Sequence, residues 1–512
     1  MSSRVLILLA LAHAAGLFAA CRSEPDCTGD DCTVRFDAGT SGRRDGGDAD
    51  AATDGAIDLD GAAPDARPPL DGGPFSVTVG QAGRTLIAGE AVLTMAGAVH
   101  APGEVYVEGN RIRCVGPRNA CATQAAGATV IESGGIVLPA LIDAHNHPAY
   151  NWLPEWESGQ LWNDSPQWRA SSSYDAFTAP YSMNSGDRVR FCAMVQWGEL
   201  RALMSGTTAI LGVGQSRTCY RWLVRNIELT TGYNGWPRDQ VRSNSLGIDT
   251  VSATDASSLI SQMDAGQVSA YAIHIAEGLT QRSRDEYTQL KTLGLLRPQT
   301  VLIHATALEA PDFAEVAAAG AKIVWSPSSN FALYGATTDV SAALAAGVTV
   351  ALAPDWTPSG SDDLLQELRW VDAYARDNLP GLLTDPRLVE MVTSIPARVF
   401  GLEAQIGSLA VDHLADILVL AAPAGEPYRA VITARPEQVR LVLLDGLPSY
   451  GDRALMRLLP DAPPGCYDLE ACGAEKRGCW NASPDGPVDP AAVRDVIAGF
   501  YAPGPLALAA CD

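Results

Sequence analysis

A chain of 512 residues, 47% hydrophobic and 19% charged, is long enough for one large folded unit with appendages. Its formal net charge of −23, with only three lysines, excludes a nucleic-acid-binding role, because phosphates call for clustered Lys and Arg.

The first twenty residues, MSSRVLILLALAHAAGLFAA, carry one Arg, a run of about sixteen mostly apolar residues and a small-residue end, the pattern of a secretory signal over residues 1–20. The run is too short to span a membrane. The box FAAC resembles a lipoprotein cleavage site with Phe18 in place of the usual branched aliphatic, and on that reading Cys21 becomes the lipidated first residue of the mature protein. Ordinary cleavage would instead release a secreted protein. The expected location is therefore outside the cytoplasm, in the periplasm or at the cell surface, with membrane contact only through the lipid anchor.

Residues 21–75 form an acidic tract rich in Gly, Ala, Asp and Pro, with thirteen acidic residues against five arginines between positions 22 and 75. Too few large apolar groups are present to offset ordering entropy, so a disordered tether is expected. Over 76–137 the texture changes to short strands with turn punctuation: RTLIAGEAVLTM, EVYVEGNRIRCVG and ATVIES. It returns over 401–455 in IGSLAVDHLADILVLAA and QVRLVLLDGLPSYG, so the two flanks are expected to build one β domain around an inserted central region.

That central region, 138–400, is close to the roughly 250 residues of a (β/α)₈ barrel. Strand-like runs fall at Ile136–Ala144, Thr207–Val213, Val241–Leu246, Tyr271–Ala276, Thr300–Ala305, Lys322–Ser326 and Thr349–Ala353, with Leu223–Leu229 as the eighth. Helical patterns such as RVRFCAMVQWGELRALMSG and PDFAEVAAAG lie between them and stop at Gly. Residues 456–512 form an extension holding Cys466, Cys472, Cys479 and Cys511.

Ten cysteines follow Cys21 in a chain read as exported, so disulfides are expected. Cys27 with Cys32 and Cys114 with Cys121 can close small loops, and Cys192 and Cys219 can pair or remain buried thiols. No CxxC spacing suggests a zinc knuckle.

Only seven histidines occur, and four of them, His145, His147, His274 and His304, end apolar strand-like runs. In ALIDAHNH the first two stand one residue apart, and positions i and i+2 of a strand point the same way, so both imidazoles can reach one point. A fifth run, VTVALAPDW, ends at Asp355 in the same manner. In a barrel, chemistry sits at the C-terminal strand ends, where all five residues fall.

With the segments LPALIDAHNHP, GTTAI, HIAEG, VLIHATAL, SPSSN, ALAPDW and GLEAQIGSLAVDHLADILVL in this order, the chain resembles the amidohydrolase superfamily, which includes cytosine and guanine deaminases, triazine hydrolases and imidazolonepropionase. The resemblance implies an α/β fold, a TIM-like (β/α)₈ barrel with a composite β-sandwich built from both flanks. It implies that His145, His147, His274 and Asp355 bind one metal, that Glu277 shuttles protons and that His304 contacts substrate. Binuclear branches use a carboxylated lysine, and no lysine lies between His147 and His274, so one metal is expected.

Three imidazoles and a carboxylate suit Zn²⁺, with Fe or Mn as alternatives. Such an ion lowers the pKa of bound water from 15.7 towards ~7 and so supplies hydroxide for attack. Asp355 would orient that water or take its proton, Glu277 would carry the proton to the leaving nitrogen, and His304 would steady the developing charge. The expected function is hydrolysis of a non-peptide carbon–nitrogen bond in a small molecule, as a deaminase or cyclic amidase. A lactone or other C–O hydrolase, or a surface binding protein on the same fold, are the alternatives. Asn330 and Trp356 are candidate substrate contacts, although Asn330 could equally cap a turn. Trp152, Trp156, Trp162 and Trp168 are candidates for a pocket lid.

Overall fold

The computed structural model describes residues 72–212, 219, 223–228, 239–481 and 488–511. The signal segment, Cys21, most of the acidic tract, Cys27 and Cys32 lie outside the described residues.

Eight short parallel strands organise an α/β architecture consistent with a TIM barrel: β1 (Leu141–Asp143), β2 (Thr207–Ile210), β3 (Arg225–Asn226), β4 (Val241–Asn244), β5 (Ala270–Ile275), β6 (Thr300–His304), β7 (Lys322–Trp325) and β8 (Thr349–Leu352). They pair as two arcs, β3–β2–β1 and β4–β5–β6–β7–β8. Nearly all their residues are buried, as expected where helices cover the faces of a parallel sheet. Helices Gln281–Thr292, Ala310–Ala318 and Val340–Ala345 each run on into a glycine at positive φ, Gly294, Gly320 and Gly347, which turns the chain back towards the next strand.

A closed eight-stranded ladder is not present among the described residues. Between β1 and β8 the carbonyls of Val392 and Met391 accept from Ile142 N and Leu352 N, both at 2.9 Å, so this turn takes the bonds a closing ladder would use. The two strands meet only beyond their ends, at the single parallel bridge Asn146↔Asp355.

The run Ile136–Ala144 is not one strand. Ile136–Pro139 pairs antiparallel with Ile417–Leu420, and only Leu141–Asp143 joins the parallel arc. Pro139 has no N–H to continue a ladder. Ala140 N then bonds Asp416 O and Leu141 N bonds Gly206 O, both at 3.0 Å, which hands the chain from one sheet to the other.

The flanks form two further sheets. Five strands, Ser76–Thr78, Ala128–Glu132, Gln81–Gly89, Gly103–Glu108 and Arg111–Pro117, make one. The other has eight strands and joins Ala91–Leu93 and Ile136–Pro139 to Ile417–Leu420, Val439–Leu444 and Leu447–Asp452. Ile87, Val105 and Ile131 of the first sheet share a buried cluster with Val137, Val419 and Leu441 of the second. The hairpin Gly465–Ala471 and Ala474–Trp480 extends the larger sheet.

Four disulfides join Cys114 to Cys121, Cys192 to Cys219, Cys466 to Cys479 and Cys472 to Cys511.

Candidate metal centre

Asp143 sets the local shape that presents the first two histidines. Its Oδ1 accepts from His145 N at 3.2 Å and its Oδ2 from the Asn146 side chain at 2.6 Å, which folds the chain just past β1. His274 lies within β5, and His304, the last residue of β6, stands opposite Ile275. Asp355 follows β8 by three residues. His304 and Asp355 adopt φ of 69° and 72°, a left-handed conformation uncommon for residues with a Cβ, of the kind that concentrates where a side chain must be aimed.

The side chains converge. His145 Nε2 is 2.9 Å and His147 Nε2 3.4 Å from the same Asp355 Oδ1. Ligand atoms of His145, His147 and His274 all lie within 4.8 Å of one another, as do those of His145, His304 and Asp355. His274 Nδ1 faces the carbonyl of Asn244 at 3.4 Å, a partner that turns the other nitrogen towards the cluster.

The electrostatics fit a cation. His145 Nε2 is buried 2.9 Å from Asp355 Oδ1 without hydrogen-bonding geometry to it, an arrangement suited to a cation shared between the two. Burial, reinforced by His145, brings His147 down to about 3, and burial with the surrounding imidazoles holds His274 well below its ordinary value. Both rings are therefore neutral donors at physiological pH. Burial alone would raise the Asp355 carboxyl, but the neighbouring imidazoles, His145 foremost and then His304 and His147, hold it below the usual carboxylate range. Three imidazole nitrogens and one carboxylate oxygen make a suitable set for a divalent transition ion.

Glu277 and His304 stand beside this set. Glu277 Oε1 accepts from the Tyr334 hydroxyl at 2.7 Å and lies 3.9 Å from His304 Nε2. Its Oε2 is buried without a hydrogen-bond partner, 3.7 Å from Arg169 Nη2. Asn330, expected at the substrate, is fully buried and does not line the cavity; its amide contacts His304 Nδ1 at 3.0 Å.

A cavity of about 510 Å³ opens over the cluster, large enough for a small molecule. Tyr150, Trp168, Tyr174, Tyr181 and Trp356 give it aromatic walls. Of the four tryptophans expected as a lid, only Trp168 lines it. Trp156 and Trp162 pack behind Trp168, and Trp152 is buried against Phe500 and Tyr501.

Tyr334, Arg169, Ser329 and Ser359 escaped the sequence reading. Tyr334 follows Asn330 by four on the helix Pro327–Tyr334, a spacing that places the two on one face and could have flagged it. The others carry no local signal.

A model of the amidohydrolase family matches residues 222–450. The chain is 26% identical over 417 residues to the 5-methylthioadenosine/S-adenosylhomocysteine deaminase of Symbiobacterium thermophilum, an alignment covering 72% of this chain and 94% of that protein. Among solved structures it is similar to an adenosine deaminase from Xanthomonas campestris with bound zinc, at TM-score 0.56 and 18% identity over 71% of this chain and 92% of the other. It is also similar to the atrazine chlorohydrolase of Arthrobacter aurescens complexed with zinc, at TM-score 0.56 and 18% identity over 71% and 94%. These two structural likenesses are likenesses of fold.

Proposed function

We infer the activity from family and site together: this chain belongs to the amidohydrolase superfamily, and it is a metal-dependent hydrolase that removes an amino group from a small molecule by cleaving a non-peptide carbon–nitrogen bond. The observation that carries this reading is the convergence of His145, His147, His274 and Asp355 beside Glu277 and His304. The names of the similar deaminases favour deamination over opening of a cyclic amide. The aromatic walls suit a flat aminated heterocycle.

His145, His147, His274 and Asp355 would hold the ion, zinc by the chemistry of the donor set. When bound, the ion supplies an electrophilic centre that acidifies water to a pKa of ~7. Asp355, whose Oδ1 faces the imidazoles, would orient the attacking water or take its proton. Glu277 would carry a proton released by the attacking water, through its Oε2, to the leaving nitrogen, and His304 would hold the developing charge by hydrogen bonding. Trp356 and Tyr181 orient the ring and exclude water.

The same reading takes the two arcs as one (β/α)₈ barrel over 138–400 and the flanking sheets, 76–137 and 401–455, as a composite sandwich, with 456–512 as an extension. It places the protein outside the cytoplasm, anchored through a lipid on Cys21 after removal of residues 1–20. Replacing Cys21 by Ala should release it from the membrane fraction.

The experiment is metal analysis of the purified protein beside ammonia release from a panel of aminated purines, pyrimidines and triazines and of cyclic amides. About one zinc per chain with ammonia release supports the reading. Stoichiometric metal without turnover on a broad panel favours a binding protein, and absence of metal affinity sinks the proposal.

A further inference from the structure

Three buried indole N–H groups head hydrogen-bond chains that end on His304, Glu277 and Asp355, the three groups given a part in the reaction. An indole nitrogen donates and never accepts, so each chain begins on a donor.

In the first, Trp325 Nε1 donates to Thr337 Oγ1 at 2.8 Å, and the Thr337 hydroxyl donates to Asn330 Oδ1 at 3.2 Å. That fixes the Asn330 amide with Nδ2 towards His304 Nδ1 at 3.0 Å. An amide nitrogen only donates, so Nδ1 is the acceptor. The proton of the neutral ring therefore sits on Nε2, the nitrogen nearest Glu277.

In the second, Trp168 Nε1 donates to the Tyr334 oxygen at 2.8 Å, and the single phenolic proton goes to Glu277 Oε1 at 2.7 Å. Oε1 is thereby held as an acceptor. The oxygen left to take and give a proton is Oε2, which has no hydrogen-bond partner.

In the third, Trp356 Nε1 donates to Ser359 Oγ, Ser359 meets Ser329 at 2.8 Å, and Ser329 donates to Asp355 Oδ2 at 2.7 Å. Oδ1 is left to face the imidazoles.

Thr337, Asn330, Tyr334, Ser329 and Ser359 do not line the cavity, so they act through the groups they hold. Trp325, Asn330 and Tyr334 are buried, and water does not readily replace a lost donor there.

We propose that these residues are positioning residues: two of the chains decide which atom carries the proton, Nε2 of His304 and Oε2 of Glu277, and the third decides which oxygen of Asp355, Oδ1, is presented to the imidazoles. The inference rests on the reading of Glu277 as the proton carrier and of His304 as the hydrogen-bonding group that holds developing charge. It goes beyond that reading by assigning the atoms and the residues that impose them.

The test needs no substrate. Nitrogen-15 NMR of the zinc-loaded full chain with labelled histidine, assigned by His304→Gln, should show His304 in the Nε2–H form. Asn330→Asp, which turns an acceptor towards Nδ1, should convert it to the Nδ1–H form. Thr337→Val should yield a mixture, and Thr337→Ser should restore the wild-type spectrum. A wild-type ring protonated on Nδ1, or a ring unmoved in Asn330→Asp, overturns the proposal. On a panel substrate, Asn330→Asp and Tyr334→Phe should lower kcat by about 10²-fold with KM and metal content little changed. A loss confined to KM or to metal content would overturn it as well. A wild-type protein inert on every panel compound defeats the proposed function instead, and the spectrum still decides this inference.

Discussion

The backbone N–H of His147 donates to the carbonyl of Asp355 at 3.1 Å, so the first and eighth parallel strands are joined by main chain at two residues whose side chains also face each other. The main chain therefore joins these two residues independently of the Asp355 carboxylate. Asp355→Ala should keep the far-ultraviolet circular dichroism and cooperative unfolding of the wild type, yet bind zinc at least tenfold more weakly and release no measurable ammonia. Zinc titration against a chromophoric chelator measures the first. Unfolding of the variant in buffer would show that the carboxylate is needed for the fold itself.

Ser329 supports that carboxylate from behind, through its bond to Oδ2. Partners that orient a ligand typically carry 10- to 100-fold of metal affinity or activity. Ser329→Ala should thus weaken zinc affinity by about tenfold while the protein stays folded. Chelator competition reads this directly, and an unchanged affinity would remove Ser329 from the site.

Glu367, fully buried on the helix Leu364–Asn378, ties that helix to Pro327–Tyr334 by accepting from Ser328, and it also accepts from Ser361 in the loop before its own helix. Burial pushes its carboxyl up to about 7, against the lowering effect of those bonds. A carboxyl whose pKa is raised on folding holds its proton more tightly when folded, so its contribution to stability is complete below the unfolded value of 4.5 and is lost as pH rises towards 7. Glu367→Gln removes the loss. The stability of the variant relative to the wild type should grow by about 2 kcal/mol between pH 5 and pH 8 in urea unfolding. A constant difference across that range would mean that Glu367 is ionised in the folded protein.

How much of this was readable before folding depended on whether the signal was local. His145, His147, His274, His304 and Asp355 each end an apolar run, and a strand end is where a parallel architecture puts its chemistry, so their convergence followed from the pattern. The break at Pro139 was also written locally but was overridden in the reading by the unbroken apolar character of Ile136–Ala144. Ser329 was not readable, because its role exists only where its helix meets a strand end 26 residues away. The four tryptophans illustrate the same limit: composition marked an aromatic segment, but only packing separates Trp168, which faces the cavity, from Trp152, which is in the core.

Gly198 sets two effects against each other. It lies inside the helix Arg188–Met204, where replacing Gly by Ala ordinarily stabilises by about 1 kcal/mol. A Cβ at this position, however, would stand 2.2 Å from the backbone oxygen of Pro148, the residue after His147. Backbone oxygen cannot swing aside as a side chain can, so either the helix or the histidine-bearing turn must shift, and overpacking of this kind costs about 1–3 kcal/mol. The clash should win. Gly198→Ala is expected to unfold at lower urea concentration than the wild type and, because the displaced turn carries His147, to bind zinc several-fold more weakly in the same buffer. A variant that gained stability with unchanged zinc affinity would show that the helix can move off the turn without disturbing the metal ligands.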